Sequence, residues 1–297
     1  MIILNVNLED YSYMKKIGKN SEILANNVDI DDSVIIGDNV QINCENIKLG
    51  KFCKIGDNVE ISCTSFEADD WLFMLHGVEI GRGGCYGSKS NVKIGKHVGI
   101  FENTIINPSE PVEIGDNCGI GAEVMIWTHG AWLDITQGFP ADFGPVTIGE
   151  DVWLPARSIV LPNVTIGNNV VIGINSIINR SLPDGCFAAG SPCRVIKENV
   201  YPKVVSDDEL SKMVRGILND WNTLIQYKLD GFDPPTMSTS YYKKERKIKL
   251  TLDGEETIYD IKERTISGRD SDIVEDLRDY LRRRGIKFYT DKGFRSI

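Results

Sequence analysis

Between Pro145 and Val195 the chain places an aliphatic residue at every sixth position: Ile148, Leu154, Val160, Ile166, Ile172 and Ile178. A second lane, four residues ahead, holds Val152, Ser158, Val164, Val170 and Ser176. Gly149, Gly167 and Gly173 directly follow members of the first lane. A period of six fits neither an amphipathic helix nor the simple alternation of a half-buried strand. It is the signature of a parallel β-helix, in which short flat strands joined by tight corners stack coil on coil. The recurring aliphatic points into the coil, and the glycine behind it lets the chain turn without a Cβ.

The same period extends upstream. It is expected to start at Leu24 and continue at Ile30, Ile36 and Ile42, slip by one residue, and resume at Leu49, Ile55 and Ile61. Residues 62–93 break it and read as a loop insertion, with Trp71, Phe73 and Met74 either lining an acceptor pocket or forming the loop's own core. Gly81, Gly83 and Gly84 read as turn residues. The period returns at Ile94, Ile100 and Ile106, then at Ile114, Ile120 and Ile126, before a second insertion over 127–147. Residues 1–16 read as a strand or cap, because the first coil would otherwise present an open edge.

Beyond about residue 200 the pattern changes. Leu210, Met213, Ile217, Trp221, Leu224 and Ile225 recur at helical spacing, Ser206 and Glu209 form a capping box, and Gly231, Pro234 and Pro235 end the run. Further on, alternation around Asp253-Gly254 marks a hairpin, RDSDIVEDLRDYLRRRG an amphipathic helix, and IKFYT a strand. The expected architecture is mainly β. A β-helix spans 1–200, a helical extension 201–230, and a small α/β (ββαβ) unit of unknown role 242–297.

Composition narrows the function. With 41% apolar residues in 297, the chain should fold throughout, and a net charge of −10 argues against a general nucleic-acid or anionic-membrane surface. No cationic start precedes an apolar run and no apolar stretch is long enough to span a bilayer, so a cytoplasmic protein without membrane insertion is expected. The seven cysteines form no C-x-x-C pair and read as small buried hydrophobes.

The segments VWLP, IVLPNVTIG, VIGINSIIN and GSPCRVIK resemble the closing coils of the hexapeptide-repeat acyltransferases, in particular the group that acetylates maltose, galactosides and Nod factor. The resemblance is specific over 94–198, looser over 17–93, and absent from 200–297. It implies a left-handed coil, acetyl-CoA as acyl donor, and a homotrimer. It also implies that His129, in MIWTHG, is the catalytic base, since an imidazole can take a hydroxyl proton near neutral pH and return it to a departing thiolate. Asn103 is the candidate oxyanion donor. Ala156, Ile174, Asn179, Arg180, Arg194 and Lys197 match cofactor-binding positions, the last four at the phosphate end, although Ile174 is bulkier than the family's usual Ala. Trp132, Asp134 and Glu102 are the candidate acceptor contacts. The group orienting His129 is left open among Glu102, Glu123, Asp134, Asp142 and a backbone carbonyl.

The expected activity is O-acetylation of a sugar hydroxyl, on a cell-surface polysaccharide or its precursor. An amino-sugar N-acetyltransferase and a non-catalytic scaffold are the alternatives. The acceptor would be a small molecule or an oligosaccharide. No metal is expected: the three histidines, His76, His97 and His129, lack the spacing of the zinc site found in β-helical carbonic anhydrases.

Overall fold

The computed structural model describes residues 2–3, 16–81, 83–85, 87–229 and 235–292. They form two compact units, Met1–Pro202 and Lys203–Ile297. The first is a parallel β-helix whose interior consists of three in-register ladders. One runs Ile17, Ile36, Ile55, Met74, Ile100, Ile120, Leu154, and Ile172 pairs with Ala188 beyond it. The second runs Ile23, Ile42, Ile61, Ile80, Ile106, Ile126, Val160, Ile178. The third runs Ile30, Leu49, Ala68, Ile94, Ile114, Ile148, Ile166, Leu182. All but the half-buried Ile17 are buried. Each fully buried aliphatic contributes about 1.5–3 kcal/mol relative to exposure.

The corners between ladders are unequal. From the first ladder to the second is always six residues, as in Ile36 to Ile42 and Ile120 to Ile126. From the third back to the first is also always six, as in Leu49 to Ile55 and Ile148 to Leu154. Both corners turn through a residue at positive φ three positions before the next ladder member. Asn39, Asn58, Asn103 and Asn175 do so at one corner, and Phe52, Trp71, His97 and Asn117 at the other. Asn is the side chain that best tolerates this left-handed region after Gly. The corner from the second ladder to the third absorbs all variation. It takes seven residues in the early coils (Ile23 to Ile30), fourteen at Ile80 to Ile94, eight at Ile106 to Ile114 and twenty-two at Ile126 to Ile148.

This geometry corrects several expectations. Ile23, not Leu24, faces inward, and the one-residue slip recurs on every early coil because that corner holds an extra residue. The chain does not leave the coil at residue 62. The strand Glu60–Ala68 continues it, Ala68 and Met74 are ladder members, and only the stretch after Ile80 departs. Ala68 escapes an aliphatic search because the bulk at that level comes from its buried neighbour Phe66. Trp71 lines no loop core; it sits at a coil corner, stacked on His97 with centroids 4.5 Å apart. Gly149 does not supply a positive φ. A Cβ there would lie 2.5 Å from Asn168 Oδ1 and 2.9 Å from the Gly167 carbonyl carbon, so its role is close approach between coils. Of the cap expected over 1–16, the strand Ile2–Ile3 pairs antiparallel with Glu22–Ile30. Met1 and residues 4–15 lie outside the described residues.

In the second unit, helix α1 (Asp207–Lys228) starts at the capping box of Ser206 and Glu209. Its buried face is Val214, Leu218, Trp221 and Ile225, whereas Met213 is exposed. The helix is not a separate extension: those side chains share a core with Tyr241, Ile248, Leu250, Tyr259, Leu277 and Leu281. The unit's sheet has four antiparallel strands, Met237–Tyr242, Lys247–Leu252, Glu255–Asp260 and Thr265–Gly268, followed by helix α2 (Asp272–Arg282). The expected ββαβ order is therefore replaced by ββββα. The first strand, MSTSYY, was hidden in a polar stretch that reads as linker. The segment IKFYT is no strand; Ile286 and Phe288 pack into the core instead. Asp253 and Gly254 turn the central hairpin at φ 50° and 86°. The expected helix stop at Gly231 and Pro234 lies outside the described residues.

Candidate active site

Every excursion from the coil leaves at the same corner, so loops far apart in sequence stack on one another. After Ile80 come Gly81 to Cys85, after Ile106 come Asn107 to Glu110, and after Ile126 come Thr128 and His129. The last excursion is a ribbon in which His129–Gly130 pairs antiparallel with Asp142–Phe143. Across it His129 stacks on Phe143, with centroids 5.7 Å apart and planes at 22°. The Trp127 ring meets the imidazole edge-on at 6.1 Å. Gly144 N–H donates to the Thr128 carbonyl at 2.9 Å and closes the base of the ribbon.

Below His129 the preceding coil presents Asn107 and Ser109. His129 Nδ1 lies 2.8 Å from Asn107 Oδ1 and 3.0 Å from Ser109 Oγ, and Ser109 Oγ–H donates to Asn107 Oδ1 at 3.1 Å. Asn107 is fully buried, and its amide donates to the carbonyls of Gly81 at 2.8 Å and Gly83 at 3.3 Å on the coil before. Thr128 Oγ1 donates to the Asn107 carbonyl at 2.8 Å and accepts the Glu110 N–H at 2.9 Å. The Cys85 thiol donates to the Gly81 carbonyl at 3.2 Å. Three coils are thus tied together beneath one imidazole. Gly84 turns beside this cluster at φ 87°, where a Cβ would lie 3.0 Å from Ser109 Oγ.

The partner of His129 is therefore none of the candidates raised from sequence. Glu123 is exposed and pairs with Arg157 at 2.7 Å, which lowers its carboxyl pKa. Asp134 caps the short 3-10 helix Ile135–Gln137; hydrogen bonds from Thr136 hold its carboxyl below the usual range. Asp142 lies opposite Gly130 in the ribbon. The sequence does not single out Asn107, because it occupies the strand end right after the ladder residue Ile106, where any small side chain fits the hexapeptide pattern. Only the stacking of coils reveals what it faces.

The other sequence candidates are dispersed. Asn103 is exposed at a corner before the strand Ile105–Asn107, at φ 55°, whereas His129 follows its own strand. Glu102 is half-buried, and Trp132 is 95% exposed near the ribbon tip. Ala156 is half-buried and its carbonyl accepts the Asn175 N–H at 3.1 Å, and Ile174 is exposed. At the end of the coil Arg194 and Lys197 lie on the strand Arg194–Lys197, which pairs antiparallel with Phe187–Ala189. Arg194 Nη1 donates to the Cys193 carbonyl at 2.7 Å and to Asn179 Oδ1 at 3.5 Å. Arg194 and Asn179 are thus brought together, with exposed Arg180 next in sequence to Asn179. Among the described residues no group of three or more His, Cys, Asp or Glu is placed to hold a metal ion.

Stacked coils built on a six-residue period, with every excursion leaving at one corner, define a parallel β-helix of hexapeptide repeats. Residues 145–180 match the family model for the bacterial transferase hexapeptide (six repeats). Beyond those residues the chain is similar in sequence to proteins named as acetyltransferases. It is 37% identical over 111 residues to the galactoside O-acetyltransferase of Escherichia coli (strain K12), which covers 37% of this chain and 55% of that protein. The chain thus spans about half the length of this curated relative. Among solved structures, galactoside acetyltransferase in complex with coenzyme A aligns at 30% identity and a TM-score of 0.30, over 43% of this chain and 59% of that one. The polySia-specific acetyltransferase NeuO aligns at 20% identity and a TM-score of 0.44, over 66% and 91%. No helix among the described residues is long and apolar enough to cross a membrane.

Proposed function

We propose that the protein is an acetyl-CoA-dependent O-acetyltransferase acting on a sugar hydroxyl, with His129 as general base. The observation that carries this reading is the fixed imidazole, engaged through Nδ1 by the preceding coil and left with Nε2 for an acceptor. In the reaction Nε2 takes the hydroxyl proton as the oxygen bonds to the thioester carbonyl carbon. The tetrahedral intermediate collapses, the C–S bond breaks, and the CoA thiolate takes the proton back from the imidazolium. The acceptor would be a cell-surface polysaccharide or its precursor, and the setting the cytoplasm.

Arg194 and Asn179, with Arg180 and Lys197, offer cationic and amide donors at the end of the coil. That chemistry suits the phosphates of CoA in an otherwise acidic protein. A homotrimer fits the exposed apolar ribbon, where Trp132, Leu133, Ile135, Phe139 and Phe143 all lie open on the single chain. Release of free thiol from acetyl-CoA, measured across a panel of mono-, oligo- and polysaccharides, tests the activity. Acceptor-dependent release is expected, and its absence with every sugar would remove the proposal.

A further inference from the structure

We infer that Asn107 and Ser109 are positioning residues that hold the neutral His129 ring as its Nδ1–H tautomer and so leave the Nε2 lone pair facing the acceptor. The inference deepens the reading of His129 as base and rests on it for its catalytic meaning. It follows from donors and acceptors alone. Asn107 Nδ2 lies 2.8 Å from the Gly81 carbonyl and 3.3 Å from that of Gly83. A flipped amide would set its oxygen against two carbonyl oxygens, so the amide orientation is fixed by its surroundings. The oxygen that consequently faces His129 Nδ1 at 2.8 Å can only accept. An unprotonated Nδ1 would meet it lone pair to lone pair, so Nδ1 carries the hydrogen. Ser109 completes the set: its hydroxyl hydrogen goes to Asn107 Oδ1 at 3.1 Å, which leaves its lone pairs to share the Nδ1–H at 3.0 Å.

The arrangement performs the orienting task of a carboxylate without a charge. A buried amide tied to the preceding coil cannot take the proton itself, and it sets both the tautomer and the plane of the ring. The coil supplies the rigidity, since Thr128 Oγ1 pins the Asn107 carbonyl and the Glu110 N–H from either side of Ser109.

Nitrogen-15 NMR of the labelled full chain tests this with no acyl donor or acceptor present. The His129 resonances are identified by their loss in His129→Gln, and spectra are taken at a pH where the ring is neutral. The expected result is a pyrrole-type signal on Nδ1 and a pyridine-type signal on Nε2. The double variant Asn107→Leu, Ser109→Ala should move the larger share of the hydrogen to Nε2, and Ser109→Ala alone, which keeps the Asn107 acceptor, should retain the Nδ1–H form. In thiol-release assays the double variant should lose at least about tenfold in kcat with KM for acetyl-CoA unchanged, the pattern of a lost transition-state interaction. A wild-type ring with its hydrogen on Nε2, or a double variant that keeps it on Nδ1, overturns the inference. If the double variant does not fold, the wild-type spectrum decides alone. A protein with the Nδ1–H tautomer but no acetyl transfer would refute the activity and leave the tautomer assignment standing.

Discussion

His129 and Phe143 face each other across a two-residue ribbon, with rings 5.7 Å apart and nearly parallel. One side of the imidazole is therefore set by the returning arm of the same excursion and its Nδ1 edge by the preceding coil. Phe143→Ala removes the stacking surface but no hydrogen-bond partner. The expected outcome is a kcat lowered by up to about 100-fold through misplacement of the base. The melting temperature should change little, because Phe143 is half-exposed. An unchanged kcat would show that the hydrogen bonds alone position the ring.

The coil geometry makes a prediction about insertions. Only the corner between the second and third ladders varies in length. One glycine inserted after Asn163, at that corner, should be tolerated at less than about 1 kcal/mol, as for a slightly longer loop. The same insertion after Asn117 falls at a corner that is always six residues. It displaces Ile120 from its partners Ile100 and Leu154, and insoluble or unfolded protein is expected. Equal melting temperatures for the two insertions would contradict the account of the corners.

That asymmetry also explains what could be read in the sequence. The ladder residues were legible because each is an aliphatic at a fixed distance from the last. Met74 and Ala68 were not, since the interior demands apolar volume and not a particular side chain. His129 stood out as a histidine at a break in the period. Asn107 did not, because its meaning depends on which residue lies on the next coil, twenty-two positions later. In the second unit most of the stripe on α1 packs inward, with Leu210, Ile217, Trp221 and Ile225 in or against the core, but Val214 and Leu218 point inward in place of Met213, and a stripe with apolar residues on both flanks leaves that choice to the sheet.

At the end of the coil, Arg194→Ala should raise KM for acetyl-CoA by an amount equivalent to about 1.5–3 kcal/mol, the worth of a hydrogen bond to a charged group. The KM for the acceptor should move less. Steady-state kinetics with each substrate varied in turn checks this, and an unchanged KM for acetyl-CoA in Arg194→Ala, Arg180→Ala and Lys197→Ala would place the phosphates elsewhere.

Stability at high pH should report on the coil's buried thiols. Burial pushes the Cys53 thiol from its ordinary 9.0 up to about 12, and Asp70 and Asp31 add to the shift. The folded state holds that proton after the unfolded chain has released it. Stability from this group is thus complete below about 9 and lost as pH rises toward about 12. Melting temperatures of wild type and Cys53→Ala, compared between neutral and alkaline pH, should converge as pH rises. A constant difference between them would contradict the assignment.

The most direct test is the kcat of His129→Ala with an acceptor that wild type acetylates, measured beside His76→Ala and His97→Ala. His129 lies outside the ladder that passes through Ile126, so its replacement should leave folding and acetyl-CoA binding intact. The account predicts a kcat lower by about 10²–10⁴ for His129→Ala, the share of a positioned general base. His76, exposed at a corner, and His97, stacked on Trp71, should be replaceable with near-normal turnover. Normal turnover by His129→Ala, with loss in either of the others, would contradict it.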